Sequence, residues 1–395
     1  MPVTEIAMAF LTEQNKKRMV SVFLDLVKTD SVTREEGEIA RKLEARLKAL
    51  GCKVVFDNAG KKTGSQTGNL IARFPGAPAI APVLLSSHMD TVTPGKGVKP
   101  QVKKDRITSD GTTILGADCK SGITVILETL AIIKERNLPH PPLEVVFTTC
   151  EETGLQGSQN LDFSLLKSRR GIVLDTEDPR GATVKAPAAD RLEIKVHGIA
   201  AHAGMFPERG ISALRVAALA ISKMKLGRID AETTANIGII EGGSATNIIT
   251  PLVELKAEAR SHNPAKLRRQ VKHMLDTLEK AAKASAIKLD GKTVRARIEC
   301  RHINSYPNMN IPASDKVLGA LTASAKAAGI KLEAKSSGGG SDANIFARHG
   351  IFTPNLGCGM WEPHTTQEYL DLADFFLCAE ITLGTVIRLA GKEAK

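Results

Sequence analysis

A change in hydrophobic period near Ala186, reversed near Pro312, divides this chain into a frame and an insertion. Ahead of the change, short apolar runs alternate with longer amphipathic stretches. Residues 69–74, 82–87, 143–149 and 171–174 read as strands, and 122–134 and the brief 161–166 as helices. Upstream, Val20, Phe23, Leu24 and Val27, then Ile39, Leu43, Leu47 and Leu50, keep helical spacing that Gly51 closes. This alternation predicts an α/β domain with a largely parallel sheet. Within the insertion, residues 190–198 instead alternate with period two, as a half-exposed strand does. A helix over 212–225, strands over 234–240 and 251–259, a helix over 264–286 and a strand over 293–301 follow. That β-α-β-β-α-β order is the ferredoxin-like signature of a small α+β domain. The frame resumes with a helix over 315–328, a Gly-rich turn, a strand over 351–354 and a helix over 367–389. The expected domains are therefore 1–185 with 305–395, and an inserted 186–304.

Charge and composition narrow the classes of function. The 395 residues carry 54 Lys and Arg against 43 Asp and Glu, a net charge of +11. Residues 186–304 hold 20 of the former and 12 of the latter, so the insertion alone is +8. One Trp and two Tyr supply few stacking platforms, which argues against single-stranded nucleic acid as a partner. No apolar run approaches the roughly 18–20 residues that span a bilayer, so no membrane partner is expected. The first 22 residues mix charged with apolar side chains, as an amphipathic helix does and a signal peptide does not. Six cysteines, at 52, 119, 150, 300, 358 and 378, show no paired spacing. These features point to a soluble protein of a reducing compartment, the cytoplasm.

Five segments place acids or histidine just past strand ends, where α/β enzymes keep their sites. In Ser86-Ser87-His88-Met89-Asp90, Asp90 could hold the second nitrogen of a metal-ligating His88, or both could sit on an ordinary turn. Asp118, in Gly116-Ala117-Asp118-Cys119-Lys120, reads by itself first as a helix N-cap. Glu151 and Glu152, adjacent after an apolar strand, repel each other unless a cation or shared proton intervenes. Asp175 ends another apolar strand, and His364 lies in Glu362-Pro363-His364 before the last helix. Together they form a set of N and O donors suited to a divalent metal.

The ordered set SSHMDTV, GADCKSG, TTCEETG, VLDTE and EPHTTQEY, with GIAAHAG and SSGGGSDAN, resembles the co-catalytic zinc exopeptidases of the peptidase T, glutamate carboxypeptidase and aminoacylase group. It is most similar to the peptidase T-like branch, over nearly the whole chain. The resemblance implies an α/β fold of zinc-exopeptidase type, a mixed, largely parallel sheet flanked by helices, with the ferredoxin-like insertion as a lid or dimerisation domain. It implies two divalent ions, zinc with manganese or cobalt as alternatives, bridged by Asp118. His88 and Asp175 would complete one site, and Glu152 and His364 the other. Glu151 would be the general base, Asp90 would orient His88, and the Asp118–Cys119 peptide would be cis. Cys119 stands where relatives carry Asn, Asp or Lys, a side chain that is not a ligand.

In the insertion, the resemblance implies that His202 stabilises the oxyanion. Asn247 and Arg260 would bind the substrate backbone and terminal carboxylate. Read alone, these are a loop histidine, a turn former and a solvated edge charge. Gly339 and Ser341, in the Gly-rich turn, could likewise approach a peptide or only keep the loop flexible. The implied activity is hydrolysis of short peptides, as an aminopeptidase of tripeptidase type, with a homodimer through the insertion left open. Two alternatives stand beside it: an amidohydrolase on N-acyl amino acids or a carboxypeptidase of the same fold, and a non-catalytic binding protein. Glu151 argues against the last, because binding alone needs no base.

Overall fold

The computed structural model describes residues 11–391, so part of the N-terminal helix expected over 1–22 lies outside the described residues. The chain forms two compact units, one of residues 1–185, 310–337 and 341–395, the other of 186–309 with Gly338–Gly340.

The first unit is built on a mixed sheet. Its strands lie in the order Lys53–Phe56, Leu70–Phe74, Leu143–Thr148, Val83–His88, Gly171–Thr176, Asn355–Gly357, Gly181–Ala186 and Met309–Asn310, and Glu333–Ser336 pairs beside Gly181–Ala186. Val83–His88 runs parallel to both of its neighbours, while the strands at the Lys53 edge are antiparallel. Every residue of Val83–His88 and of Leu143–Thr148 is buried, so both faces of the central strands are covered and neither alternates with period two. The cover comes from the helices Glu13–Val27, Gly37–Leu50, Ala117–Arg136 and Leu372–Arg388. In that packing Phe23 and Phe375 meet with ring centroids 5.8 Å apart. Ala117–Arg136 lies so close to the sheet that a Cβ on Gly122 would come within 2.3 Å of the Leu174 carbonyl. The register sets His88 opposite Thr148 and Ser86 opposite Val173, which brings the ends of three parallel strands to one edge.

The second unit is an antiparallel sheet in the order Gly227–Asp230, Thr233–Gly242, Leu252–Ser261, Ala188–His197, Arg297–Tyr306. The helices Ala213–Ile221 and Pro264–Ala284 pack on the face that carries Leu192, Ile194, Val196, Val253 and Leu255. Alternation of buried and exposed residues from Asp190 to Val196 reflects that one-sided cover. On the open face, charges pair across strands: Lys195 with Glu254 at 3.3 Å, Arg301 with Glu193 at 3.2 Å and His197 with Glu299 at 3.2 Å.

Several boundaries depart from the periodicity. The long helix of the second unit stops at Ala284, and the strand expected over 293–301 is two strands, Lys292–Arg295 and Arg297–Tyr306. The first of these pairs with Ala286–Leu289 through an Asp290-Gly291 turn with φ of 46° and 76°, the two-residue hairpin turn that an Asp-Gly pair favours. The last helix begins at Leu372 because the Asp371 side chain caps the Asp374 N–H, and Tyr369–Asp371 before it is a strand. The helix expected over 161–166 is only the single 3₁₀ turn Phe163–Leu165, and the strand expected over 351–354 lies at Asn355–Gly357.

Candidate metal centre

All five proposed ligands converge in the first unit. His88 Nε2 lies 2.8 Å from Asp118 Oδ1 and 3.3 Å from Asp175 Oδ1. His364 Nε2 lies 3.1 Å from Asp118 Oδ2 and 2.9 Å from Glu152 Oε2. Two donor groups thus share one carboxylate, which faces a different imidazole with each oxygen. Glu152 Oε1 is buried and has no hydrogen-bond partner, as expected of an oxygen reserved for a cation. The donor set of imidazoles and carboxylates fits a divalent metal, and the shared carboxylate fits a pair of them.

The local backbone explains the convergence. Gly116, at φ 76°, precedes an irregular first turn in which Asp118 and Cys119 leave helical geometry across a cis peptide bond. The Asp118 carboxylate faces His88 and His364 and does not cap the helix. The Glu368 carboxylate fixes this turn, accepting the N–H groups of Leu115 and Gly116 at 2.7 Å each and of Asp118 at 2.9 Å. Burial pushes the Glu368 carboxyl up to about 7, against those three donors.

Asp90 acts differently from the sequence expectation. His88 Nδ1 meets the backbone carbonyl of Asp90 at 2.9 Å, while the nearest carboxylate oxygen is 3.7 Å away. That carboxylate is engaged elsewhere: it accepts the N–H of Glu151 at 2.9 Å, the N–H of Glu152 at 3.2 Å and the Thr33 hydroxyl at 2.8 Å. Asp90 thus holds His88 through its main chain and the two glutamates through its side chain.

The electrostatics follow from crowding acids in a dry site. Burial raises the Glu151 carboxyl well above the usual range, with Asp175 adding to the rise. Burial and the Asp118 charge push Glu152 up to about 7. Hydrogen bonds to Asp118 and Glu152 raise His364 to about 10. His88 is raised as well, because its carboxylate neighbours outweigh a large opposing effect of burial. Without metal, the imidazolium charges are what offset these acids. Cys119 Sγ lies within 4.8 Å of the donors of His88, Asp118 and Asp175, but its thiol hydrogen goes to the Leu174 carbonyl at 2.7 Å. Burial and the neighbouring Cys358 thiol keep Cys119 protonated.

The remaining predicted residues fall as follows. In the second unit, exposed His202 accepts the N–H of Met205 at Nδ1, 3.1 Å away, and the carbonyl of Asn247 accepts from Ala203 at 2.9 Å, so these two segments are neighbours. Arg260 pairs with Glu258 at 3.0 Å and donates to the Gly338 carbonyl at 3.4 Å, one residue before Gly339. Ser341 belongs to the first unit and forms a capping box with Asn344. Three residues with structural duties around the glutamates, Glu36, Asn69 and Asp342, gave no sign of them in the sequence. Their partners lie 80 to 194 residues away along the chain.

The profile of peptidase family M20/M25/M40 matches residues 84–388, over three-quarters of the chain. The chain belongs to this family. It is a metallopeptidase by that membership and by the donor set just described. Across 94% of its length it is 41% identical to the uncharacterized protein YqjE of Bacillus subtilis, covering 98% of that relative. Peptidase T of Escherichia fergusonii is 24% identical over 84% of this chain and 87% of its own. Two solved structures are similar throughout. Aminopeptidase PepT from Bacillus cereus has a TM-score of 0.88 at 38% identity, over 97% of this chain and all of that one. A tripeptidase from Staphylococcus aureus has a TM-score of 0.90 at 39% identity, over 95% and 98%.

Proposed function

We propose that this metallopeptidase is an aminopeptidase of tripeptidase type, releasing the N-terminal residue of short peptides. The observation that carries the reading is the pair of donor groups joined by Asp118, in a chain similar from end to end to a solved aminopeptidase and a solved tripeptidase. His88 and Asp175 would hold one divalent ion and Glu152 and His364 the other, with Asp118 giving one oxygen to each. Zinc suits these donors, with manganese or cobalt as alternatives. Such a pair, when bound, lowers the pKa of a shared water and polarises the scissile carbonyl.

Glu151 is the general base in this reading. It stands beside a ligand without being one, and its raised proton affinity suits taking a proton from water and passing it to the leaving amine. Asp90 positions it through the backbone. His202 would donate to the oxyanion, Asn247 and Arg260 would bind the peptide backbone and carboxylate, and Gly339 and Ser341 would line the peptide.

Glu151→Gln should lower kcat on a tripeptide by about 10³-fold while bound metal stays constant. Unchanged hydrolysis would remove the base assignment. Cleavage of N-acyl amino acids with free-amine peptides ignored would replace the aminopeptidase by an amidohydrolase.

A homodimer through the second unit is part of the proposal. Beyond Ala235 the strand Thr233–Gly242 is paired on one side only among the described residues, and Ile239 and Ile240 on it are exposed. Leu214 and Leu219, on the helix Ala213–Ile221, are exposed too. Sedimentation of wild type against Ile240→Lys tests this, and a monomeric wild type would end it. A cytoplasmic location accords with six free cysteines, five of them buried. No helix among the described residues is long and apolar enough to cross a membrane.

A further inference from the structure

Four successive backbone N–H groups carry the two glutamates, and each is held by a side chain from elsewhere in the first unit. Thr149 N donates to Asn69 Oδ1 at 3.1 Å and Cys150 N to Glu36 Oε1 at 3.0 Å, while Glu151 N and Glu152 N donate to Asp90. Of the acceptors, only Glu36 is a carboxylate with no contact to the ligand set. It is fully buried, and its second oxygen takes the Ser65 hydroxyl at 2.5 Å. Ser65 Oγ in turn accepts the Thr149 hydroxyl at 2.9 Å.

Glu36 occupies the N-cap position of the helix Gly37–Leu50, yet its side chain makes no capping bond to that helix. It is committed instead to a loop 114 residues away. The need for a charged acceptor there is physical. The same short loop bears the proposed base Glu151 and the proposed ligand Glu152, so its backbone has to be held in one place. Cys150 sits at φ 51°, a left-handed conformation that a non-glycine residue keeps only when its surroundings hold it. A hydrogen bond to a carboxylate is about twice as strong as one to a neutral acceptor.

We propose that Glu36 is a positioning residue for the general base: by gripping the Cys150 N–H it fixes where the Glu151 carboxylate stands. The inference rests on the peptidase reading for its kinetic consequence, but not for its structural one.

The test compares wild type with Glu36→Leu and Glu36→Gln. Leu keeps bulk and removes both acceptors, whereas Gln keeps the shape and one acceptor. Hydrogen–deuterium exchange of the peptide spanning 149–152 should quicken in Glu36→Leu, with the second unit unchanged. On a tripeptide, kcat should fall by about 10²-fold, as a displaced catalytic group implies, with KM moving less than about 3-fold. Glu36→Gln should fall in between, at about 5- to 10-fold. Unchanged exchange overturns the proposal, as does a kcat within about 2-fold of wild type or a loss of kcat explained wholly by loss of metal. If Glu36→Leu does not fold, Glu36→Gln decides, and wild-type kcat in that variant overturns the proposal. A wild type inert to peptides would remove the peptidase reading while the exchange measurement still tests the grip.

Discussion

In the unit built on Val83–His88, ionisable groups are taken out of solvent, with Asp90 at 0%, Asp118 at 7% and Glu368 at 1% exposure. In the unit built on Ala188–His197 they stand on an open sheet face, where Lys195 and Glu254 keep nearly half their side-chain surface in water. Both regions are rich in carboxylates, and the second buries Asp190, but among the described residues it is the first that directs several buried acids at one point. Asp90 and Glu368 are held by backbone N–H groups and Asp118 by two imidazoles, all in fixed directions, so their energy depends on geometry. The exposed ones find partners in passing and are screened by salt. Charge is therefore a tool of chemistry in one unit and of solubility in the other.

The sharpest way to break this contrast is Asp118→Asn. An amide cannot bridge two cations, so metal stoichiometry should fall below two and kcat by at least about 10³-fold, read by elemental analysis and tripeptide hydrolysis. Wild-type metal content would show that convergence of the acids is incidental. Next comes Gly157→Ala, whose Cβ would come within 1.8 Å of the Thr149 carbonyl and 2.8 Å of Asn69 Oδ1. Backbone must shift there, so stability should fall by about 1–3 kcal/mol in denaturant titration, with lower activity because the same loop bears both glutamates.

A third prediction concerns pH. His364 is raised to about 10 and Glu152 to about 7 without metal, so both bind protons that a metal must displace near neutrality. Metal affinity should therefore strengthen from pH 6 to pH 8, by up to about tenfold per pH unit for each proton released. Calorimetry in buffers of different ionisation enthalpy counts those protons, and a pH-independent affinity would contradict the assigned ligands. The sign is opposite for the stability of the metal-free protein. The ion pair of His364 with Asp118 is in place below the imidazole's ordinary pKa and is lost as pH rises towards 10, so that form should weaken in alkali. The smallest effect belongs to the second unit. Lys195→Ala should change stability by no more than about 0.5–1 kcal/mol, and less in high salt. A larger loss would mean that the open-face pairs are structural after all.

His88, Glu152 and Asp175 of the proposed ligands were legible because each ends or follows an apolar run, and parallel strands in register bring such positions to one edge, whereas Asp118 and His364 come from an irregular helix start and a turn. The period change likewise announced the second sheet, since a one-sided strand must alternate. What stayed hidden has no local pattern. Glu36 lies ahead of a helical run, Asn69 starts a strand and Glu368 falls in the first turn of the expected last helix, and only tertiary contact assigns them to distant backbone. Asp90 was marked for its neighbour His88, yet its carboxylate serves Glu151 and Glu152 while its carbonyl serves the imidazole. The hairpin at Asp290-Gly291 is a different case. Its turn signal was present, but a strong amphipathic helix running into it masked the boundary.

The shared carboxylate of Asp118 carries one more consequence. Because its oxygens face different imidazoles, two cations held as proposed would not fill as separate equilibria. A first occupant on the His88 side would fix the plane of the carboxylate that the His364 side must use, and its charge would oppose the second arrival. Loading should then proceed in unequal steps, so that protein given one equivalent is a population of half-filled molecules with its own spectrum and its own rate.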